Sequence, residues 1–304
     1  MSAILETLKP RALAPRDLDA VIGIDAALSG RSRRAYFERR LRAQPPDPAR
    51  YVQLGIEHDG ALAGFMTGRA LEGEFGLSAP ELRLDAFGVK PTAHGLGLGS
   101  ALSAALEAAA RKRGIAEIRT SALWRQHELL RFLDRAGYRL STQHVLDCAP
   151  SREFEPLARD EVSIELLRER DLEGIARIDR RHTGRDRRAY LRRSFEETLA
   201  DSAVRVSLTA RVDGGVAGFV MARLDYGDYG RAEPVAAIDT LGVDPLRARQ
   251  GIGRALLSQL FINLAALGVE RVETLVEPAS LDLMGFFHAA GLRPSERLSF
   301  VKRL

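Results

Sequence analysis

Two short stretches of the chain set glycines between an apolar strand pattern and a helical pattern. The first is Thr92-Ala93-His94-Gly95-Leu96-Gly97-Leu98-Gly99-Ser100, and the second is Arg247-Ala248-Arg249-Gln250-Gly251-Ile252-Gly253-Arg254. Glycine lets a backbone curl tightly and lets another molecule approach without a Cβ in the way. Successive N–H groups in such a curl form an anion nest, to which a helix N-terminus adds its positive end. Arg247, Arg249 and Arg254 add charge suited to phosphate oxygens. The first stretch has an extra glycine, Gly95, and no arginine. Each preceding strand pattern holds one aspartate, Asp85 or Asp239. An aspartate in an apolar strand is costly unless paired or functional. Both are therefore candidate general bases, against the alternative of a structural salt bridge or a hydrogen bond to a loop.

The two stretches are related. Shifted by 154 positions, the sequence falls on itself without gaps. Gly30-Arg31-Ser32-Arg33-Arg34-Ala35-Tyr36 meets Gly184-Arg185-Asp186-Arg187-Arg188-Ala189-Tyr190, and Leu84 to Pro91 meets Ile238 to Pro245. A period this long means two whole domains rather than a solenoid of small units. Residues 1–150 and 160–304 are read as these domains. The polar stretch from Cys148 to Glu161, with Pro150 and Pro156, reads as the linker.

Composition narrows the function classes. Of 304 residues, 45% are hydrophobic, enough for a sizeable core. No apolar run approaches the roughly 18 residues that would span a bilayer, and the first residues lack the layout of a secretory signal. The single Cys148 excludes a disulfide framework and a cysteine-rich metal site. The expectation is a cytoplasmic protein with no membrane partner. A pI near 9.4 rests on a net charge of only +4, so nucleic acid is not expected as a partner. Monomer and homodimer are both open.

Periodicity gives the elements of the second half. Strand patterns cover 162–167, 204–212, 216–224, 235–243, 269–276 and 298–302; helical spacing covers 171–181, 186–199, 252–267 and 281–290. Asp213-Gly214 reads as a tight hairpin turn. A strand–loop–helix–strand unit inside an otherwise antiparallel order predicts an α/β domain with a mixed sheet. Ala237, Asp239 and Leu241 are expected on one strand face, and Gly88 and Gly242 are expected to mark a bulge.

Strand, Val-x-Pro, Gly-x-Gly, amphipathic helix, glycine, strand and short helix ending in Gly291 occur in that order, and nearly the whole of both halves follows it. This resembles the GNAT superfamily of N-acetyltransferases in a tandem form. The resemblance implies two GNAT-like domains, acetyl-CoA as cofactor and transfer of an acetyl group to a primary amine of a small molecule or peptide. It implies that the cofactor lies along Phe87, Val89, Gly95, Gly97, Gly99 and Ser100 in the first half. In the second half it implies Leu241, Gly242, Val243, Arg247, Arg249, Gln250, Gly251, Ile252, Gly253 and Arg254.

Two departures qualify this. The family's first loop residue, Gln or Arg, falls on His94 and Ala248. The tyrosine that many members use to protonate the departing thiolate falls on Leu133 and Phe287, which cannot donate a proton. The alternative function is therefore an acyl-CoA-binding or sensor module without turnover in one or both halves. The acceptor pocket is implied near the first two helices, where Arg34, Tyr36, Arg188 and Tyr190 could bind an acidic acceptor. Their alternative is a solvated helix face, with the tyrosines packed on the core. Tyr226 and Tyr229 are further pocket candidates.

Overall fold

The computed structural model describes residues 8–43, 50–71, 79–150, 162–201, 206–226 and 234–304. In the first half the order is β1 (Arg11–Ala12), α1 (Leu18–Ser29), α2 (Arg34–Ala43), β2 (Tyr51–His58), β3 (Ala61–Leu71), β4 (Glu81–Val89), α3 (Leu98–Lys112), β5 (Glu117–Leu123), α4 (His127–Arg135), β6 (Arg139–Leu140) and β7 (His144–Cys148). The second half repeats it as β8 (Ser163–Leu166), α5 (Leu172–Thr183), α6 (Arg188–Asp201), β9 (Leu208–Val212), β10 (Gly215–Tyr226), β11 (Pro234–Val243), α7 (Ile252–Ala266), β12 (Arg271–Val276), α8 (Leu281–Ala289), β13 (Arg293–Pro294) and β14 (Arg297–Arg303). The periodicity located these elements because amphipathic helices and buried strands alternate without long irregular stretches. Asp59-Gly60 and Asp213-Gly214 turn the hairpins with both residues of each pair at positive φ, which matches the twist of the flanking strands. Most of the linker, residues 151–161, lies outside the described residues, as does Tyr229.

Each half is a mixed sheet between helical layers. Leu102 and Leu106 of α3 cover one face of the first sheet, and Ile24 and Phe37 of α1 and α2 cover the other. Leu256 and Leu260 of α7, and Ile175, Ile178 and Leu191 of α5 and α6, do the same in the second.

The halves are not independent along the sequence. The two seven-stranded sheets run β1-β2-β3-β4-β5-β14-β6 and β13-β7-β12-β11-β10-β9-β8. The last long strand of each half thus completes the sheet of the other. Strand β14 pairs antiparallel with β5 from Arg297↔Leu123 to Arg303↔Glu117, and β7 pairs with β12 from Val272↔Cys148 to Val276↔His144. A division at residues 150 and 160 describes the repeat, but sheet membership cuts across it.

Charge matching favours the exchanged arrangement. Lys302 Nζ donates to Glu107 Oε1 and to Ala136 O. Arg271 donates to Asp147 at 2.8 Å across the other exchanged pair. By the 154-residue correspondence, Lys302 returned to its own half would meet Phe261, which is buried, and Glu107 would meet Cys148. An ammonium against a buried phenyl ring has lost its carboxylate partner and its water, which is unfavourable.

Phe300 of β14 is buried in the core of the first half, with Leu106, Ile118 and Tyr138. Phe300→Ala is expected to cost about 3 kcal/mol, as for a large-to-small change in a core. Hydrogen exchange should show protection lost first at β5, far from the mutated residue in sequence. Loss confined to the second half would contradict the exchange.

Candidate active site

In each half the two parallel strands at the centre of the sheet part company. Strands β4 and β5 are in register only at Leu82↔Ile118 and Arg83↔Arg119, and β11 and β12 only from Val235↔Arg271 to Ala237↔Glu273. Beyond that point the sheet opens as a wedge. A threonine from the departing strand bridges its apex: Thr120 Oγ1 donates to Leu84 O at 3.1 Å, and Thr274 Oγ1 to Ile238 O at 3.2 Å.

A bulge sits at the same place. Thr67 pairs with Ala86 and Gly68 with Leu84, so Asp85 is the extra residue. Likewise Met221 pairs with Thr240 and Ala222 with Ile238, which leaves Asp239. The bulge therefore falls on the aspartates and not, as expected, on Gly88 and Gly242. Those glycines pair regularly with Phe65 and Phe219. Their lack of a side chain serves packing: a Cβ on Gly88 would lie 2.7 Å from Leu28 Cδ1, and one on Gly242 2.8 Å from Phe219 Cε1. The extra residue also shifts the side-chain alternation. Leu241 joins Ile238 and Ala236 in the core cluster with α7, so Ala237, Asp239 and Leu241 do not share one face.

The bulge sets which main-chain groups face the wedge. Asp244 N donates to Ala217 O, and Lys90 N to Ala63 O, both at 2.8 Å. Alternation in an antiparallel pair then turns the main-chain groups of Leu241 and Val243, and of Phe87 and Val89, away from the hairpin and into the wedge. Those of Gly242 turn towards β10. His182 Nε2 lies 2.6 Å from Val243 O, and His94 Nε2 lies 3.0 Å from Val89 O. His94 is otherwise exposed.

The glycine loops lie beyond the wedges. Gly97 and Gly251 cap α3 and α7 in the left-handed conformation, with φ of 82° and 80°, and neither helix has a side-chain cap. The first-turn N–H groups at Leu98, Gly99 and Ser100, and at Ile252, Gly253 and Arg254, precede the first intrahelical donors and form a nest. The second glycine of each Gly-x-Gly has a different task. A Cβ on Gly99 would lie 3.0 Å from the ring of Phe132, and one on Gly253 3.2 Å from Phe286, so these positions admit α4 and α8. Gly95 has φ of 82°, and its counterpart Arg249 adopts φ of 62° despite its side chain. Arg247 is held by Asp213 at 2.9 Å. Arg249 and Arg254 are exposed, with no ion pair among the described residues. Arg181 donates to both oxygens of Asp244 at 2.7 Å and anchors this loop to α5. Burial pushes the Asp244 carboxyl up, but the Leu246 N–H and the Arg181 guanidinium outweigh it and hold it below the ordinary carboxylate range.

The aspartates at the bulges are ion-paired. Asp239 is hydrogen-bonded by Arg223 Nη1, and Asp85 lies 3.6 Å from Arg69 Nε and 3.9 Å from Arg40 Nη2. In the first half the space before the bulge is packed. Asp85 is 2% exposed, and Arg40 and Arg69, which lie against it, are both buried. The second half has Ser194 and Ala237 where the first has Arg40 and Arg83. There a cleft opens at the wedge, lined by Ala237, Asp239, Glu273, Thr274, Glu277 and Leu283, with Arg223 on β10. Glu273 and Glu277 escaped sequence reasoning because Glu273 sits on a strand that reads as plain core and Glu277 directly follows its end. Only their replacement of Arg119 and Leu123 in the repeat hinted at them.

The residues proposed for an acidic acceptor are largely engaged elsewhere. Arg34 pairs with Asp19 at 2.7 Å and Arg188 with Glu173 at 3.7 Å on exposed helix faces. Arg33 is buried against Asp25, and Arg187 lies 3.3 Å from Asp179. Burial raises the Asp179 carboxyl above its ordinary range, only partly offset by Arg187. Tyr36 is 4% exposed, between the guanidinia of Arg33 and Arg40. Tyr190 lies beneath Arg187 with its hydroxyl 3.3 Å from Thr240 Oγ1, beside Asp239. Leu133 and Phe287, at the position of the family's proton donor, are fully buried in the cores.

A wedge between parallel strands, a bulge at its apex and an uncapped glycine loop, all present twice, define an acyltransferase fold. The acetyltransferase (GNAT) family model matches residues 22–138 and 172–292, and the chain belongs to that family. It is similar in structure to a tandem GNAT protein from the clavulanic acid biosynthesis pathway, with 18% identity, a TM-score of 0.67, and 97% and 98% of the two chains covered. A GCN5-related N-acetyltransferase from Sphaerobacter thermophilus matches at 19% identity and a TM-score of 0.62, over 97% of this chain and 95% of that one. The glucosamine N-acetyltransferase region of a fungal multi-domain GH3 β-N-acetylglucosaminidase matches at 14% identity and a TM-score of 0.66. This chain is covered to 97% but spans only 38% of that protein. No curated protein matches the sequence. No helix among the described residues is long and apolar enough to cross a membrane.

Two outcomes are expected at the second loop. Arg249→Gly should leave stability unchanged or raise it by up to about 1 kcal/mol, because it relieves the left-handed backbone, while it weakens binding of a phosphorylated ligand. Urea titration and calorimetry would separate the two effects. The Arg181–Asp244 anchor contributes stability above the unfolded carboxylate pKa of about 4 and loses it as pH falls further. The advantage of wild type over Asp244→Asn in urea should thus be present at pH 6 and shrink as the pH is taken progressively below about 4.

Proposed function

We propose that the chain is an acetyl-CoA-dependent N-acetyltransferase whose second half does the chemistry. The observation that carries this reading is the asymmetry of the two wedges. Both keep the bulge and the loop, but in the first Arg40 and Arg69 are buried against Asp85, whereas the second opens into a cleft lined by Asp239, Glu273 and Glu277 together with Arg223 and Arg83. The residues fit the cofactor. The uncapped N–H groups at Ile252, Gly253 and Arg254, with the exposed Arg249 and Arg254, suit a pyrophosphate. The main chain of Leu241 and Val243 offers donors and acceptors to an extended chain bearing amides, and the wedge leaves room for it. Bound acetyl-CoA supplies a thioester acyl group for transfer to an amine.

The protein's own work is to fix the geometry, which alone lowers the barrier substantially, to offer the Leu241 N–H to a developing oxyanion, and to take a proton from the acceptor ammonium. We place that proton on Glu277 ahead of Asp239. Asp239 shares an oxygen with Arg223, and the same pairing recurs at Asp85 in the packed half, as a structural pair would. Glu277 is half-exposed, accepts from Thr142 Oγ1 at 3.3 Å and occurs only in the open half. Phe287 would have no proton to give a departing thiolate. That buried phenyl ring is what favours the second reading, an acyl-CoA-binding module without turnover.

Calorimetry with CoA and a thiol-release assay over an amine panel test both readings. Gly251→Glu should abolish CoA binding to the second half, and Gly97→Glu should leave turnover intact. Glu277→Gln should lower kcat about 100-fold, with Asp239→Asn smaller. The reverse order would return the base to Asp239, and tight CoA binding with no thiol release from any amine would establish the sensor.

A further inference from the structure

The rim of the second wedge carries exposed arginines that the first lacks. His182, in the last turn of α5, reaches Val243 O at the mouth of the wedge, and Arg181 beside it holds Asp244. The end of α5 therefore stands at the entrance to the cleft. Arg177 and Arg180 of the same helix end are exposed and have no hydrogen bond or ion pair among the described residues, and neither has the side chain of Arg185, just past the Gly184 cap. Asp244 is near enough for Arg177 to lower its pKa, but both its oxygens are already taken by Arg181. The other nearby carboxylates, Glu173 and Asp186, lie against Arg188. Leu246, on the adjoining turn, is 80% exposed. By the 154-residue correspondence, Arg177, Arg180 and Leu246 are Gly23, Ala26 and Thr92 in the first half, and only Arg185 has a basic counterpart, Arg31. A helix C-terminus favours basic residues, but the last turn of α1 has none, so the fold does not require them there.

These cations are placed for the acceptor rather than the cofactor. Arg249 and Arg254 stand by the nest at the start of α7, whereas α5 packs on the opposite face of the sheet from α7. Gln143, carried in by the exchanged strand beside β12, lines the cleft on the side away from β10, over which α5 packs. That side is walled by the first half, and the side towards α5 is rimmed by arginine. Five residues separate His182 from Arg177, roughly 8 Å of helix, and Leu241 lies two residues deeper than Val243, about 7 Å along a strand. A molecule that joins the reaction centre to these arginines must span on the order of 10–15 Å, about three to five residues of extended chain. A small amine in the cleft cannot touch them. Free guanidinia beside an exposed leucine fit an acidic polypeptide, which offers carboxylates to the charges and an apolar surface to the leucine. Nucleic acid would use the charges but not the leucine. Resting on the transferase reading above, we infer that the acceptor is the amino terminus of an acidic peptide or protein segment. Its amine enters the cleft, and carboxylates at about its third to fifth positions meet Arg177, Arg180 and Arg185.

The test uses amidated pentapeptides that begin with two alanines and end in three aspartates, three asparagines or three lysines, alongside a panel of small amines. Thiol release gives KM and kcat for each, and calorimetry on the CoA-loaded full-length protein gives acceptor binding independently of turnover. The aspartate peptide should have a KM about tenfold below that of the asparagine peptide, with the lysine peptide weakest and the advantage shrinking as salt is raised. Arg177→Gln combined with Arg180→Gln should remove most of that advantage, a rise in KM of about tenfold with little change in kcat. Arg177→Lys combined with Arg180→Lys should keep it. Equal KM for the aspartate and asparagine peptides, or a loss in the glutamine variant shared by both, would overturn the inference and leave the transferase reading intact. Weaker CoA binding in that variant with unchanged peptide selectivity, or thiol release from small amines alone, would do the same. Arginine-dependent binding of the aspartate peptide with no thiol release from any acceptor would uphold the docking and overturn the transferase. Neither binding nor release with any peptide or amine would overturn both.

Discussion

A parallel strand pair that separates after two or three residues leaves main-chain donors and acceptors without a partner in the centre of a sheet. Such groups are costly in an apolar interior, and the rest of each half is arranged around that cost. The bulge at Asp85 or Asp239 turns the unpaired groups of alternate residues into the gap. The threonine at the apex satisfies one carbonyl, a histidine side chain satisfies another near the mouth, and the glycine loop continues the opening to the surface. The vacancy is thus bordered by side-chain hydrogen bonds as well as by packing.

The aspartates show how a costly residue is held in an apolar strand. Each sits where the strand gains an extra residue, and each is held by an arginine from the neighbouring strand. Removing either partner would leave a buried charge uncompensated. The pair recurs in both halves even though the space around it differs, which ties it to the bulge. What differs between the halves lies one layer out, where Arg40 stands against Asp85 in the first and the smaller Ser194 and Ala237 take the places of Arg40 and Arg83 in the second. Duplication has therefore preserved the frame, while side chains of different volume and charge separate a packed copy from an open one.

The exchange of β7 and β14 gives this separation a physical setting. Each sheet depends on a strand from the other half, so neither core closes without the other. The same exchange carries Thr142 and Gln143 to the cleft of the second half. A repeat that had folded as two beads on a string would offer that cleft to solvent with nothing from the first half in it.

Much of this was legible in the residues. The 154-residue repeat, the hairpin turns at Asp59-Gly60 and Asp213-Gly214, the helices and the glycine loops follow from local patterns, because they depend on near neighbours and on backbone conformations that few residues adopt. The bulge was not legible. Asp85 and Asp239 read as ordinary members of an alternating strand, and the extra residue appears only when the partner strand supplies the count. The glycines thought to mark it, Gly88 and Gly242, answer instead to Leu28 and Phe219, side chains distant in sequence. Nor could the pattern say to which sheet β14 belongs, since an alternating strand pairs equally well with either edge, and the choice is made by Lys302 finding Glu107 and Phe300 finding the first core. The sequence by itself determined two copies of one fold, each with a loop for an anion. The tertiary structure alone decided which copy is open and which residues of the other half stand in its cleft, because both depend on side chains brought together from strands far apart in the chain.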